Sequence, residues 1–451
     1  VGTVSGPYTG GPSGPAGGQP GAVPGEQTGP TLGAPPQPGP QVVPADPHTH
    51  GPAESGTAPD QAGTTLLQGI SQLVTNDPAV GEGPLGLIGD AAVVLDGDRV
   101  VWVGPRVSAP AADRALDLGQ RAVLPGWVDS HSHLVFAGDR AAEFTARMAG
   151  RPYEAGGIGT TVAATRGVER TELLRLARLR VDEMVRGGTT TIETKTGYGL
   201  TVPDETTSAA VAAESGVDVV TFLGAHVVPP EFDGDPQGYL DLVCGPMLQA
   251  VARYVQFLDV FCEDGAFDGA QTRRVLAAGQ RAGLGLKVHG NQLREGEGVR
   301  LAVEHGAVSV DHCTYLSDRD VDALAGSTTV ATLLPACDLS TRQPPAPGRL
   351  LVDAGARIAL ASNCNPGSSY TSSMNLVVAL GVLQCGLTAE EAVQAATTGG
   401  AAALRLPDVG FLAPGARADL HVLDAPSYEY LAYRVGMPLT RAVWRRGARV
   451  V

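Results

Sequence analysis

Between residues 123 and 361, eight apolar, strand-like runs alternate with stretches of helical period, and this alternation limits the possible folds more than any other feature. The runs lie at 123–128, 189–193, 217–224, 255–261, 284–288, 307–310, 329–334 and 357–361, with helical stretches such as 171–186 and 389–404 between and after them. Parallel strands covered on both faces read as continuous apolar runs, and each needs a crossover to reach the next. Eight such units predict an α/β chain folded as a (β/α)8 TIM-like barrel. A doubly wound open sheet is the other arrangement this alternation permits.

A barrel places chemistry at the C-terminal ends of its strands. The residues there are His131 and His133, Lys195 and Tyr198, His226, Glu263, His289, His312, Pro335 and Cys337, and Asn363. Histidines outside these ends are two near the N-terminus, His305 on a helical stretch, and His421 near the C-terminus. His131 and His133 stand two residues apart after an extended run, so both imidazoles face the same side. Two neutral imidazoles on one face make half of a divalent metal site.

Residues 1–62 are dominated by Gly, Pro, Ala, Ser and Gln and read as a disordered tail. The tail contains a second His-x-His, His48 and His50, with no strand before it and no core to hold it. Short strands joined by Gly/Asp turns follow from residue 64, and similar ones close the chain after residue 418. The expected division is a tail over 1–62, a small β-sandwich domain built from 63–122 and 405–451, and the barrel over 123–404. The formal net charge of −15 argues against a nucleic-acid or anionic-membrane surface. No segment reaches the roughly 18 apolar residues of a membrane span, and no signal-peptide pattern opens the chain. The six cysteines show no CxxC spacing and read as reduced thiols of a cytoplasmic protein.

The string Pro125-Gly126-Trp127-Val128-Asp129-Ser130-His131-Ser132-His133, on a barrel flanked by a two-ended β-domain, resembles the metal-dependent amidohydrolase superfamily. Four longer strings are similar to imidazolonepropionases, which open the imidazolone ring in histidine degradation. They run over residues 133–140, 193–200, 223–226 and 365–369, within a likeness from about residue 64 to the C-terminus. The resemblance implies one divalent metal ion, zinc or iron, on His131, His133, His289 and residue 363. It implies that His312 lies beside the metal and the attacking water, and that His226 helps hold the oxyanion. Arg140, Tyr153, His226, Gln292, Asn365, Gly367 and Ser368 are the implied contacts to a small substrate carrying a carboxylate. A homodimer is common in the family. A carboxylated Lys195 bridging two metals is disfavoured, because that bridge usually comes from strand four, which here ends in Cys262-Glu263-Asp264.

Arginine suits a carboxylate because its planar fork pairs bidentately. The alternative for Arg140 is an ion pair with Asp139 or Glu143, and for Tyr153 an ordinary surface tyrosine. One departure bears on activity. Where the family reads Ala-Ser-Asp-x-Asn-Pro-Gly, this chain has Asn363. A carboxamide offers a carbonyl oxygen but no negative charge, and takes no proton near neutral pH. Position 291, where an acidic residue is common, is also Asn. Strand alternation is expected to point Asp311 away from His312, so it offers no substitute, and Glu193 reaches inward only from strand two. Three functions follow: ring-opening hydrolysis of 4-imidazolone-5-propanoate to N-formimidoyl-L-glutamate, with His226, Gln292, His312 and Asn363 as the catalytic set; a deaminase or other cyclic amidohydrolase of the same fold; or a catalytically weakened ligand-binding relative.

Overall fold

The computed structural model describes residues 63–150 and 157–451. The tail, with His48 and His50, and Tyr153 lie outside the described residues. Fifteen strands form two sheets among those described. Four come first: β1 (Thr64–Val74), β2 (Leu87–Asp96), β3 (Arg99–Pro105) and β4 (Arg114–Pro125). Eight follow: β5 (Trp127–Asp129), β6 (Thr189–Lys195), β7 (Val219–Ala225), β8 (Phe257–Cys262), β9 (Gly285–Gly290), β10 (Ser309–His312), β11 (Val330–Leu333) and β12 (Ile358–Leu360). Three close the chain: β13 (Leu420–Leu423), β14 (Thr440–Arg445) and β15 (Ala448–Arg449).

Strands β5 to β12 pair in chain order as the parallel (β/α)8 arrangement expected from the alternating pattern. Helices such as Arg170–Arg186 and Gly269–Arg281 make the crossovers, and their apolar sides join the strands in one extended core. The two ends of the sheet meet just past the strands. His133 N donates to Cys364 O at 2.9 Å, and Asn363 N donates to His131 O at 2.9 Å. Asp129 Oδ1 accepts from Ser362 N at 3.1 Å, on the same seam. The join therefore runs through the residues that the sequence singled out.

The second sheet has the order β15-β14-β13-β4-β1-β2-β3, so it is built from both ends of the chain around its own apolar cluster, including Leu67, Ile70, Leu73, Val93 and Trp444. One expected strand divides. Residues 123–125 finish β4, where Val123 pairs with Leu73 and Pro125 with Leu420, and only Trp127–Asp129 belong to the barrel. The first part of β4 carries Arg114, Asp117 and Arg121 and is largely exposed, so it lacks the apolar signal of a buried strand. The helix expected over 389–404 is interrupted by a wide π turn at Ala395–Gly399, between Ala389–Gln394 and Gly400–Leu404. No helix among the described residues is long and apolar enough to cross a membrane. All six cysteines are free thiols, and all but Cys244 are buried.

Candidate metal centre and substrate cavity

Within a barrel strand, alternate side chains face the interior. On β6 these include Glu193 and Lys195, on β8 Asp259, on β9 Lys287 and His289, and on β10 Ser309 and Asp311, all buried. Such charged groups are costly in a dry interior unless paired. Here they pair with one another and with the histidines. Lys195 Nζ lies 3.0 Å from Glu193 Oε1, 3.0 Å from Asp259 Oδ2 and 3.5 Å from Asp311 Oδ2. Asp311 Oδ2 sits 2.6 Å from His131 Nδ1, and Asp259 Oδ2 sits 3.0 Å from His289 Nδ1. Lys287 Nζ donates to Ser130 O at 3.0 Å.

Above this layer, His131, His133 and His289 bring their ring nitrogens within 4.8 Å of one another. The Asp311 carboxylate at Nδ1 of His131 keeps the proton on that nitrogen, so its Nε2 carries a lone pair. Asp259 Oδ2 lies 3.0 Å from His289 Nδ1 without hydrogen-bond geometry, and its charge favours the same tautomer there. The Nε2 atoms of His131 and His133 are only 3.3 Å apart, and His289 Nε2 is buried without a hydrogen-bond partner. Lone pairs converging in a buried space are the donor set of a divalent cation, so these residues fit a metal. Burial, then the nearby Lys195 ammonium, pushes His131 well below the usual imidazole range. Burial chiefly does the same for His133 and His312. All three are therefore neutral at pH 7, the form that ligates or accepts a proton. Burial alone would raise the Asp259 and Asp311 carboxyls. His289 and Lys195 beside Asp259, and Lys195 and Lys287 beside Asp311, outweigh it and keep both charged. Burial disfavours the Lys195 charge as well, but Asp259, Glu193 and Asp311 override it and raise its pKa, so the side chain is an ammonium and not the neutral amine that carboxylation requires.

One expectation is corrected. Asp311 does not lie idle: it faces the interior on the side of Ser309 and binds His131. His312 reaches the same site because the backbone turns left-handed at His312 and Cys313, with φ of 83° and 54°, and so leaves the strand's alternation. Glu193 does reach inward, but its carboxylate is spent on Lys195 and on Ser132 N at 3.1 Å.

A cavity opens beside His133 and His289, lined also by Arg140, Tyr198, His226, Gln292, His312, Asn363, Asn365 and Ser368. His226 Nδ1 lies 2.9 Å from Gly197 O, to which it must donate, so Nε2 presents a lone pair. Burial chiefly lowers the His226 pKa to about 4. A neutral ring in this tautomer accepts an N–H, and the expected hold on an oxyanion is not what it offers. Gln292 Nε2 is 3.7 Å from Cys337 Sγ, and its backbone N donates to Glu263 Oε2 at 2.9 Å.

For Arg140, the structure shows the ion pair. Nε and NH2 bind Glu143 Oε2 and Oε1 at 2.7 and 2.6 Å, while Asp139 Oδ1 instead accepts from Ala141 N at 3.0 Å. Arg140 still borders the cavity, and its NH1 packs against Gly367, where a Cβ would stand 2.1 Å away. The Asn365 amide is oriented by Gly367 N and Ser368 N, each donating to Oδ1 at 2.8 Å. Its Nδ2 then donates to Asn363 O at 2.7 Å and Asn363 Oδ1 at 3.1 Å. Asn363 has φ of 51°, and its Nδ2 lies 3.5 Å from Ser368 Oγ.

The sequence reading passed over Asp259 and misjudged Asp311. The available signal was the charge itself: a lone aspartate inside Phe257-Leu258-Asp259-Val260-Phe261 is too costly to bury without a specific partner.

Residues 270–446 match the model of the Amidohydrolase family. The chain is 61% identical over 391 residues to the imidazolonepropionase of Saccharopolyspora erythraea, covering 86% of this chain and 99% of that one. It is 58% identical over 389 residues to the imidazolonepropionase of Streptomyces griseus, covering 86% and 100%. Among solved structures, the atrazine chlorohydrolase of Arthrobacter aurescens complexed with zinc superposes with a TM-score of 0.65 at 18% identity, over 86% of this chain and 95% of that one. An adenosine deaminase of Xanthomonas campestris with bound zinc gives 0.64 at 19%, over 85% and 92%. The structural likenesses establish the fold. The sequence identity, running the full length of its curated relatives, establishes more: the chain belongs to the imidazolonepropionase family of amidohydrolases.

Proposed function

We propose that this chain hydrolyses 4-imidazolone-5-propanoate to N-formimidoyl-L-glutamate, adding one water across a ring C–N bond. The observation that carries the reading is the convergence of the His131, His133 and His289 nitrogens on one buried point, in a chain whose full-length relatives are imidazolonepropionases. Zinc or iron held there supplies Lewis acidity, making a water acidic near neutral pH and polarising the lactam carbonyl.

The rest falls to the chain's own side chains. The substrate carboxylate pairs with Arg140, which Glu143 already holds across two of its nitrogens. The loop bearing Asn365, Gly367 and Ser368 closes the same end of the cavity. His226 accepts a ring N–H at Nε2, orienting the imidazolone. His312, neutral and with a buried Nδ1 that has no hydrogen-bond partner among the described residues, takes the proton from the attacking water and returns it to the leaving nitrogen. Gln292 contacts the ring. A carboxylate-bearing substrate favours this reaction over deamination of a neutral base.

A second reading, a ligand-binding relative of low activity, is favoured by Asn363 alone. Metal analysis with a turnover assay on imidazolone propionate separates the two. Stoichiometric metal with turnover supports hydrolysis, and bound metal without turnover supports the second reading.

A further inference from the structure

Three imidazoles hold one cation only if each is aimed with a lone pair toward it. For His131 the aim comes from behind, through a hydrogen bond with Asp311 Oδ2 at 2.6 Å, and behind His289 the Asp259 Oδ2 stands 3.0 Å from Nδ1 as an ion-pair contact. Those same two oxygens face a single ammonium. Lys195 Nζ lies 3.0 Å from Asp259 Oδ2 and 3.5 Å from Asp311 Oδ2, with Glu193 Oε1 at 3.0 Å, and none of these side chains is exposed. The three N–H groups of an ammonium match the three carboxylates.

The contacts thus run from His131 on the loop after β5, through Asp311 on β10, Lys195 on β6 and Asp259 on β8, to His289 on β9. Strands β5 and β9 are not neighbours in the sheet, so no backbone ladder sets the spacing of their two imidazoles. A cross-barrel link between side chains does. Asp259, His289 and Asp311 bring ligand atoms within 4.8 Å of one another, a second group of metal-binding type, and Lys195 already places a positive charge beside both aspartates.

We propose that Lys195 is a positioning residue of the metal centre: its ammonium ties Asp311 to Asp259 and thereby holds His131 and His289 with their Nε2 atoms toward one cation. The inference rests on reading His131, His133 and His289 as the metal ligands. Lost orientation behind a ligand costs 10–100-fold in metal affinity, on the order seen for such outer partners.

The test is titration of the full chain, stripped of metal, with Co²⁺, reading affinity and the visible spectrum of the bound ion. The double variant Lys195→Met/Glu193→Gln removes one cation and one carboxylate together. Folded by circular dichroism, it should bind Co²⁺ about 10–100-fold more weakly, with shifted absorption bands. Wild-type affinity and an unchanged spectrum in that folded variant would overturn the proposal. If it fails to fold, Lys195→Gln, which keeps an N–H donor toward the aspartates, is measured in the same way. ¹⁵N NMR of the wild-type apo-protein gives a further check: His131 and His289 should both carry the proton on Nδ1, and an Nε2–H tautomer on either ring sinks the proposal. A wild-type chain that binds no Co²⁺ defeats the three-histidine reading itself, a result distinct from a variant that binds as well as wild type.

Discussion

Asn363 occupies a socket suited to a carboxylate. Asn365 Nδ2 donates to its Oδ1, and the Ser368 hydroxyl stands 3.5 Å from its Nδ2, where it could turn its proton to a second acceptor oxygen. An aspartate there keeps the first hydrogen bond, gains the second, and adds a negative charge beside the imidazoles. The Asn363→Asp variant should therefore fold as well as the parent and raise kcat/KM by ~10²-fold or more, the range of a restored general base. Steady-state kinetics on imidazolone propionate reads this, and an unchanged rate would show that His312 carries the proton unaided. Arg140 is confined as closely. A methyl at position 367 would meet its NH1 at 2.1 Å and its Cζ at 2.6 Å, forcing the guanidinium off its place. Gly367→Ala should raise KM about 10–100-fold, equivalent to losing the ~1.5–3 kcal/mol of a hydrogen bond to a charged group, with kcat less affected.

At the level of elements, the loop after β6 shows how the barrel rim is made firm. Glu205, buried on the helix Val202–Glu214, accepts N–H groups from Gly199 and Leu200 at 2.7 and 2.9 Å and from Gly197 at 3.1 Å. Gly197 O in turn holds His226, so this carboxylate supports the cavity wall at one remove. In Glu205→Gln an amide N–H faces donors in place of an oxygen. Stability should fall by about 1.5–3 kcal/mol, read from denaturant midpoints at unchanged slope. The strands themselves were legible in the amino acids, because buried parallel strands are continuous apolar runs and their period is local. The run at 123–128 was not divided correctly. Its residues are apolar in either sheet, and pairing partners alone assign Val123 to β1 and Trp127 to the barrel.

Across the whole molecule, the small sheet and the barrel meet at His421. Its ring packs 5.4 Å from that of Trp127, and its Nε2 is 2.9 Å from Thr440 Oγ1. Burial lowers its pKa from 6.5 to about 3. The unfolded chain therefore takes up this proton first as pH falls, and the stability that neutral His421 contributes at pH 7 is lost between about 6.5 and about 3. Denaturation midpoints compared at pH 7 and pH 5 should differ less for His421→Gln than for wild type. Metal loading should act on the same equilibrium. A cation that binds only the folded barrel stabilises it by about 2.7 kcal/mol at a hundredfold excess over Kd, so the unfolding midpoint should rise with Zn²⁺ and drop back with chelator. His131→Ala should abolish that rise.

Periodicity and short motifs are properties of neighbouring residues, and they were enough to read the barrel, the two-ended sheet and the imidazoles at the strand ends. Contacts between side chains far apart in the chain depend on how the barrel closes. Its closure turned Asp311 from a bystander into the partner of His131 and set Lys195 among three carboxylates. The physical reason is range: a strand's alternation says which face a charge takes, but only the arrangement of the other strands says what charge it meets there.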